Sequence, residues 1–401
     1  MTQSVEILEP IEPPESSRLL RALRDETTGG LLLIAISIIA LIWANSAWSH
    51  AYHSFVDYKI GPQSLELNLT IGQWASDFLL AFFFFVIGTE LKHEIVHGSL
   101  AHARQAIVPI VAALFGMVIA AGIFLLVNAG TDNQSAWGIP ISTDVAFALA
   151  ILAIAGRALP LELRSFLLTV AVVNDLCAIV VIAIFYGHGF HLESLLLAVG
   201  CIIAFALLQR YGLNTLWLSL PLALLSWYAM FNSGVHATIA GVALGMAMRT
   251  GNVEDQSESP AEQAEKFIRP ISAGLCVPAF ALVSIGVTLN ATSAQEMFTD
   301  PLTLGILAGL VIGQPLGVTL GAYLTAKLTK GNLNPALTWG DVAVVGTLAS
   351  IGFTVALLIT EVSFATNESA LNTAKFGIIV TNVIAMTVAI CAIRLRKSRQ
   401  P

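Results

Sequence analysis

The chain has 401 residues, of which 56% are apolar and only 11% are charged. Average soluble proteins carry about 25% charged residues, and the mean hydropathy here is +0.80. Lys and Arg number 19 against 26 Asp and Glu, so the chain lacks the basic excess that binds nucleic acid. These values exclude a soluble enzyme, a disordered chain and a nucleic-acid-binding protein, and they predict a polytopic membrane protein.

Twelve apolar stretches approach the ~20 residues that a membrane-spanning helix needs. Polar tails at 1–29 and 394–401 flank the predicted twelve-helix domain at 30–393, and the seventh and eighth stretches meet at Asn232-Ser233-Gly234. The predicted spans are 30–47, 71–91, 106–127, 136–155, 163–186, 193–208, 213–231, 233–249, 267–289, 302–326, 341–362 and 371–393.

Basic residues are distributed unevenly between the two ends of these spans. Seventeen of the 19 Lys and Arg residues fall in the two tails and in alternate loops, leaving only Lys59 and Lys375 at the opposite side. Because cytoplasmic loops are enriched in Lys and Arg, we expect a multi-pass protein of the cell (inner) membrane with both termini in the cytoplasm.

The segment between the first two spans, 48–70, predicts a small β-hairpin on the outer surface. Two runs, 52–60 and 63–70, flank Gly61-Pro62, and the second alternates apolar and polar side chains in SLELNLT. An isolated hairpin is marginally stable in water, so we expect this hairpin to pair with a second subunit.

Ionisable side chains inside the bilayer are functional candidates, because an ionised group there costs at least ~2.5–3.5 kcal/mol. Pro140 should break span four just before Asp144, since proline lacks an N–H and clashes with the preceding turn. The break would place free carbonyls and the Thr143 hydroxyl beside a carboxylate, and a hard cation prefers such oxygen ligands. A capped proline kink with a protonated structural aspartate is the alternative. The intramembrane candidates are Asp77, Asp144, Asp175 and His236.

Asp175 follows Asn174 within the apolar stretch AVVNDLCAIVV of span five. A proton and a small cation compete for the oxygens of a desolvated carboxylate. One carboxylate that is presented alternately to each side, and that carries either partner, is the minimal machinery of exchange. The alternative is a structural aspartate that is hydrogen-bonded to span four.

A second broken helix is predicted in span eleven, where Gly346 and the run SIGFT (350–354) interrupt the apolar pattern. Spans three to five (106–186) and spans ten to twelve (302–393) would then each hold a broken middle helix. Interrupted spans at matching places in two halves are typical of the binding site of an inverted-repeat transporter.

Six motifs in order resemble the NhaA-type Na⁺/H⁺ antiporter family over nearly the whole chain. The resemblance implies an all-α secondary transporter, not an enzyme, with twelve helices, inverted repeats and crossed, broken helices four and eleven. It also implies alternating access, a homodimer joined through the 48–70 hairpin, and pH-dependent exchange of Na⁺ or Li⁺ for H⁺ without a cofactor. The motifs are FFFFVIGTELKHEI (82–95), STDVAFALA (142–150), VVNDLCAI (172–179), SGVHATIAG (233–241), IGQPLGV (312–318) and IGFT (351–354).

The resemblance also implies roles for single residues. Asp175 would bind the cation or the proton, assisted by Asp144 and Thr143, so that both aspartates would hold the transported Na⁺. The other expected site residues are Asn174, Gln314 and Asp77 for support, and Glu90, His236 and Glu265 for the cytoplasmic funnel and the pH response.

The chain departs from the family at Asn174 and Gln314, where members usually have an aspartate and a lysine. Because losing one partner of a buried ion pair strands a charge, the joint change to two neutral amides is physically consistent. We therefore expect electroneutral one-for-one exchange, unless Asp144 supplies a second proton. Lys266 and Arg269 replace histidines of some members, and neither titrates near neutrality.

Other transport or enzyme classes fit the sequence less well. A symporter of an organic solute on the same architecture is the alternative function, although it needs more polar groups than the spans contain. An intramembrane aspartyl protease needs a GxGD motif, which surrounds neither Asp144 nor Asp175. A channel needs a filter-like run or an acidic ring, and the sequence shows neither.

Overall fold

The computed structural model describes residues 26–101, 103–156, 159–187, 189–212, 216–251, 259–288, 291–329 and 333–398. Helices dominate these residues, because a helix in lipid satisfies its backbone hydrogen bonds internally. The helices are α1 (Glu26–Ala44), α2 (Ser49–Val56), α3 (Ile71–Val96), α4 (Ala103–Val127), α5 (Val145–Ala155), α6 (Leu161–Phe185), α7 (Leu192–Arg210), α8 (Leu216–Phe231), α9 (Thr238–Ala247), α10 (Pro260–Ser284), α11 (Ala291–Thr299), α12 (Pro301–Leu328), α13 (Trp339–Ala349), α14 (Thr354–Ser363) and α15 (Glu368–Ser398).

Eight of the described helices are long and apolar enough to cross a membrane alone, namely α1, α3, α4, α6, α7, α10, α12 and α15. Two further segments are broken spans: Asp132–Ile141 meets α5 at a bend of 48°, and α13 meets α14 at a bend of 45°. Both breaks lie where Pro140 and Gly352 predict them. The predicted count of twelve is not confirmed, because α8 and α9 are shorter apolar helices.

The predicted hairpin at 48–70 is present, but the predicted extent of its strands is wrong. Only Lys59–Ile60 and Leu69–Thr70 pair, in antiparallel register. Residues 49–56 form α2 instead of a strand, because its one buried side chain, Tyr52, donates a hydrogen bond of 2.7 Å to the Leu282 carbonyl of α10. Packing of α2 against the spans therefore overrides the alternation of the sequence.

Several other boundaries differ from the predicted ones, such as that of the ninth span, which the sequence predicts at 267–289 and which is α10 at Pro260–Ser284. The eighth span begins at Thr238 rather than 233, because the chain turns first through Gly234, whose φ is +80°. Helix α15 runs to Ser398, into the tail predicted for 394–401. Residues 1–25 of the predicted N-terminal tail and residues 399–401 lie outside the described part of the chain.

The segments predicted as two repeats pack directly on each other. Helix α4 packs along α12, and α6 contacts α13. The two breaks meet at the centre of this unit, where a Cβ on Gly352 would lie 2.5 Å from the Ser142 carbonyl oxygen. Only a glycine allows so close an approach, so the sequence fixes the crossing at this residue.

Candidate functional site

The backbones of the two helix breaks are hydrogen-bonded to each other. The chain is unwound at 142–144 and again at 351–353. The Asp144 N–H donates to the Ile351 carbonyl at 2.6 Å, and the Thr143 hydroxyl donates to the Ala349 carbonyl at 2.8 Å. Carbonyls freed by one break therefore receive donors from the other, which satisfies polar backbone that would be costly in lipid.

The Asp144 carboxylate joins the N-termini of α5 and α14. One oxygen, Oδ1, accepts the Phe147 N–H at 3.2 Å as the N-cap of α5. The other, Oδ2, accepts the Thr354 hydroxyl at 2.5 Å and the Thr354 N–H at 3.2 Å. Both helix N-termini carry partial positive charge, so this carboxylate is held in place by three donors and two helix dipoles.

Asp175 lies on α6 in a contrasting environment. Its side chain is buried, and Oδ1 has no hydrogen-bond partner among the described residues. The neighbouring Asn174 is also buried and donates to the Thr143 hydroxyl oxygen at 2.9 Å. A buried carboxylate oxygen without a donor is costly, so Asp175 is the group of this site that gains most from taking up a proton or a cation.

Asp175, Asp144 and Thr143 line one cavity of about 100 Å³. Glu90 and Arg269 line the same cavity, whose remaining wall is largely apolar. Arg269 of α10 forms ion pairs with Glu90 of α3 and, at 2.7 Å, with Glu265 one turn earlier on its own helix. An ion-paired group with partial solvent exposure therefore stands beside two more deeply buried aspartates.

Gln314 is fully buried on α12, and its side-chain amide contacts the backbone just before the first break. Its Nε2 donates to the Ile141 carbonyl at 3.1 Å and to the Pro140 carbonyl at 3.4 Å. The amide thus satisfies carbonyls that Pro140 and the break leave without helical partners. Gln314 supports the break and does not line the cavity.

Asp77 and His236 lie together, apart from the cavity. Asp77 occupies a π-helical turn of α3, and its Oδ1 is 3.7 Å from Nδ1 of His236, which precedes α9. Neither residue lines the cavity. Glu90 and Glu265 are thus both ion-paired with Arg269, whereas His236 lies beside Asp77. The family resemblance assigns Glu90, Glu265 and His236 together to the funnel and the pH response.

Sequence comparisons decide the family. The sequence model of the Na⁺/H⁺ antiporter 1 family matches residues 20–393. The chain belongs to this family. It is 45% identical over 388 residues to "Na(+)/H(+) antiporter NhaA 3" of Streptomyces coelicolor, with 96% of this chain and 82% of the relative covered. It is 44% identical to "Na(+)/H(+) antiporter NhaA" of Thermobifida fusca, with 97% of each chain covered.

A solved structure supports the fold of this family member. The sodium proton antiporter MjNhaP1 of Methanocaldococcus jannaschii aligns with a TM-score of 0.54 at 17% identity, covering 94% of this chain and 100% of that one. At such low identity the likeness concerns the fold alone. The apolar helices and the relatives of this chain indicate a multi-pass membrane protein.

Three residues at or near the site were not singled out as functional from the sequence. Thr354 is the main hydrogen-bond donor to Asp144, Arg269 joins two glutamates at the cavity, and Asn382 contacts the second break. Thr354 and Asn382 could have been selected from the sequence, because polar residues within apolar spans are costly and are therefore functional candidates. The pairing of Arg269 depends on how α3 and α10 pack, which the local pattern does not specify.

Proposed function

We propose that this chain is a secondary antiporter that exchanges cytoplasmic Na⁺ or Li⁺ for external H⁺. The observation that supports this most strongly is the buried Asp175 carboxylate, which lines a small cavity and whose Oδ1 has no donor in the part of the chain that the structure describes. A proton and a cation would compete for these oxygens, so binding of one would release the other. The family assignment and the names of the relatives agree with this reaction.

Asp144 and Thr143 would complete the ion site. Both line the cavity with Asp175, and both are fixed by hydrogen bonds to the second break. Oxygen ligands held in this way suit a hard cation. Because Asp144 already accepts three hydrogen bonds, we assign it to orientation and charge balance, and we assign the exchange of the proton to Asp175.

The size of the cavity favours an inorganic cation over an organic solute. Pockets for organic ligands commonly measure ~300–1,000 Å³, whereas this cavity measures about 100 Å³. A symporter of the same architecture would also need polar groups to recognise its solute, and the wall beyond the charged residues is mainly apolar. The antiporter is therefore the better-supported candidate.

We further propose that exchange is electroneutral, one H⁺ for each Na⁺. Asn174 and Gln314 are both buried and uncharged, and each is anchored to the first break by its amide. Neither group can bind or release a proton in transport. Asp175 would then be the only group of the site that changes its charge during the cycle.

The remaining features would serve entry and assembly. The group of Glu90, Arg269 and Glu265 would form the cytoplasmic funnel to Asp175, and His236 beside Asp77 would influence the pH response. We also propose an inner-membrane protein with cytoplasmic termini, a domain at 30–393 with inverted repeats, and a homodimer joined through 48–70.

Replacement of the exchanging carboxylate tests this function. Asp175→Asn removes the charge at nearly constant volume, so we expect Na⁺/H⁺ exchange in proteoliposomes to fall about 100-fold or to background. The matched control is Asp132→Asn, which alters an exposed aspartate at the start of the first broken span, in the 3-10 helix Asp132–Ala136, and which should exchange at the wild-type rate. Exchange retained by Asp175→Asn would disprove the site assignment.

A further inference from the structure

Helix α15 carries three polar side chains on one face, and they are spaced by multiples of seven residues. Lys375, Asn382 and Arg396 stand at this spacing, with the fully buried Ala389 at the remaining position. Seven residues make almost two turns of an α-helix, so such positions share one face. We call these four positions the α15 stripe.

The α15 stripe contacts the second broken span, which consists of α13 and α14. It contacts both helices and the break between them. Lys375 Nζ lies 3.4 Å from Glu361 Oε1 of α14. Asn382 Nδ2 donates to the Gly352 carbonyl at 2.7 Å. Arg396 donates to both carboxylate oxygens of Asp341 in α13, at 2.8 and 3.2 Å.

The hydrogen bond from Asn382 to Gly352 lies next to the residues that contact Asp144 of the proposed ion site. The residue before Gly352 is Ile351, whose carbonyl accepts the Asp144 N–H. Thr354, two residues after Gly352, donates twice to the Asp144 carboxylate. A shift of the Gly352 peptide would therefore move both the backbone and the side-chain donors that orient Asp144.

We propose that Asn382 is a positioning residue of the ion site, which acts through the Gly352 carbonyl on Asp144. The inference rests on the proposed antiport function and goes beyond it, since Asn382 does not line the cavity. Its side chain is buried, and a buried amide in a spanning helix is costly unless its hydrogen bonds are made. The Gly352 carbonyl has no other side-chain donor among the described residues, so the Asn382 amide is the side chain that fixes this carbonyl of the break.

A purely structural role would also explain a buried asparagine, because Nδ2 also donates to the Ile378 carbonyl within α15 at 2.8 Å. The two roles differ in what they change. Loss of a structural contact lowers the stability of the fold. Loss of a positioning contact also changes the affinity for the cation and the competition with protons, because the geometry of Asp144 changes.

Two substitutions on adjacent positions of α15 separate these roles. Asn382→Leu keeps the branched shape and the number of side-chain heavy atoms, and it removes both hydrogen bonds that Nδ2 donates. Asn382→Ala serves as a second variant if the larger leucine impairs folding. The matched control is Thr381→Val, since Thr381 is fully buried and its hydroxyl oxygen has no partner among the described residues. Each protein is reconstituted, and the rate of Na⁺/H⁺ exchange is measured against Na⁺ concentration at several pH values, together with Tm in detergent.

We expect both Asn382 variants to raise the KM for Na⁺ about tenfold, because a lost buried hydrogen bond has an effect of that order. The maximal rate should change less, and the pH profile should shift, whereas Thr381→Val should match wild type. A lowered Tm with an unchanged KM and pH profile would overturn the proposal and leave Asn382 structural. Absence of exchange by the wild-type protein would instead overturn the proposed function, and this inference with it.

Discussion

At the residue scale, the pair of neutral amides at Asn174 and Gln314 determines the expected charge balance of transport. Replacing both, as Asn174→Asp with Gln314→Lys, would introduce a second titratable carboxylate and a cation in its vicinity. We expect this double variant to move net charge, with two protons per Na⁺. The measurement is the reversal potential in proteoliposomes, or the charge moved on solid-supported membranes, with wild type expected to show none.

The single variants are the controls for this prediction. Asn174→Asp alone replaces the donor to the Thr143 hydroxyl by an acceptor, and Gln314→Lys alone places a cation where an amide is fully buried. Each leaves one buried charge without a partner, which is strongly destabilising, so both should exchange less well than the double variant. Net current in the wild-type protein would contradict electroneutral exchange.

The aspartates that line the cavity could be singled out from the sequence, whereas their hydrogen-bond partners could not. Asp175 and Asp144 stand out because charges are rare in apolar spans. Proline chemistry likewise predicts the break beside Asp144. That Ile351 and Thr354 provide the hydrogen bonds to Asp144 depends on how two distant segments cross. Such long-range contacts leave no periodic signal along the chain.

At the element scale, α9 packs against α3 through small residues spaced four apart, a common arrangement between membrane helices. A Cβ on Gly241 would lie 2.2 Å from the Ala81 carbonyl oxygen, and one on Gly245 would lie 2.3 Å from that of Phe85. We expect Gly245→Ala to lower the free energy of unfolding by about 1–3 kcal/mol, because overpacking forces the helices apart. Thermal unfolding in detergent measures this.

Gly200→Ala provides the matched control for that helix contact. Gly200 lies within α7, and a Cβ there would meet nothing within 4 Å. Alanine should therefore leave stability unchanged or raise it slightly, because it restricts the unfolded chain more than glycine does. Equal stability of Gly245→Ala and wild type would show that α3 and α9 are not held at this short distance.

The sequence predicted secondary-structure elements correctly where the backbone chemistry of single residues determines them. The prediction was wrong where tertiary packing determines them. Pro140 and the glycines of 346–352 predicted both breaks, because these residue types interrupt helices by their own backbone chemistry. The alternation in 48–70 predicted strands, but α2 forms where Tyr52 packs against α10. The π-helical turns of α3, α10 and α12 were not predicted either, since an inserted residue leaves the apolar composition unchanged.

At the scale of the whole molecule, the distribution of basic residues predicts which end of the bundle faces the cytoplasm. Two exposed serines report on the two sides: Ser64 lies in the hairpin segment after α1, and Ser398 ends α15. In a protein without its native cysteines Cys177, Cys201, Cys276 and Cys391, we expect an impermeant maleimide to label Ser64→Cys in intact cells. Ser398→Cys should react only after permeabilisation, because an odd number of crossings separates the two positions.

Helices α8 and α9 do not change this parity as long as both cross or neither does. Labelling of both cysteines from outside would require that one of these two short helices crosses alone, or that another span is miscounted, and would exclude a cytoplasmic C-terminus.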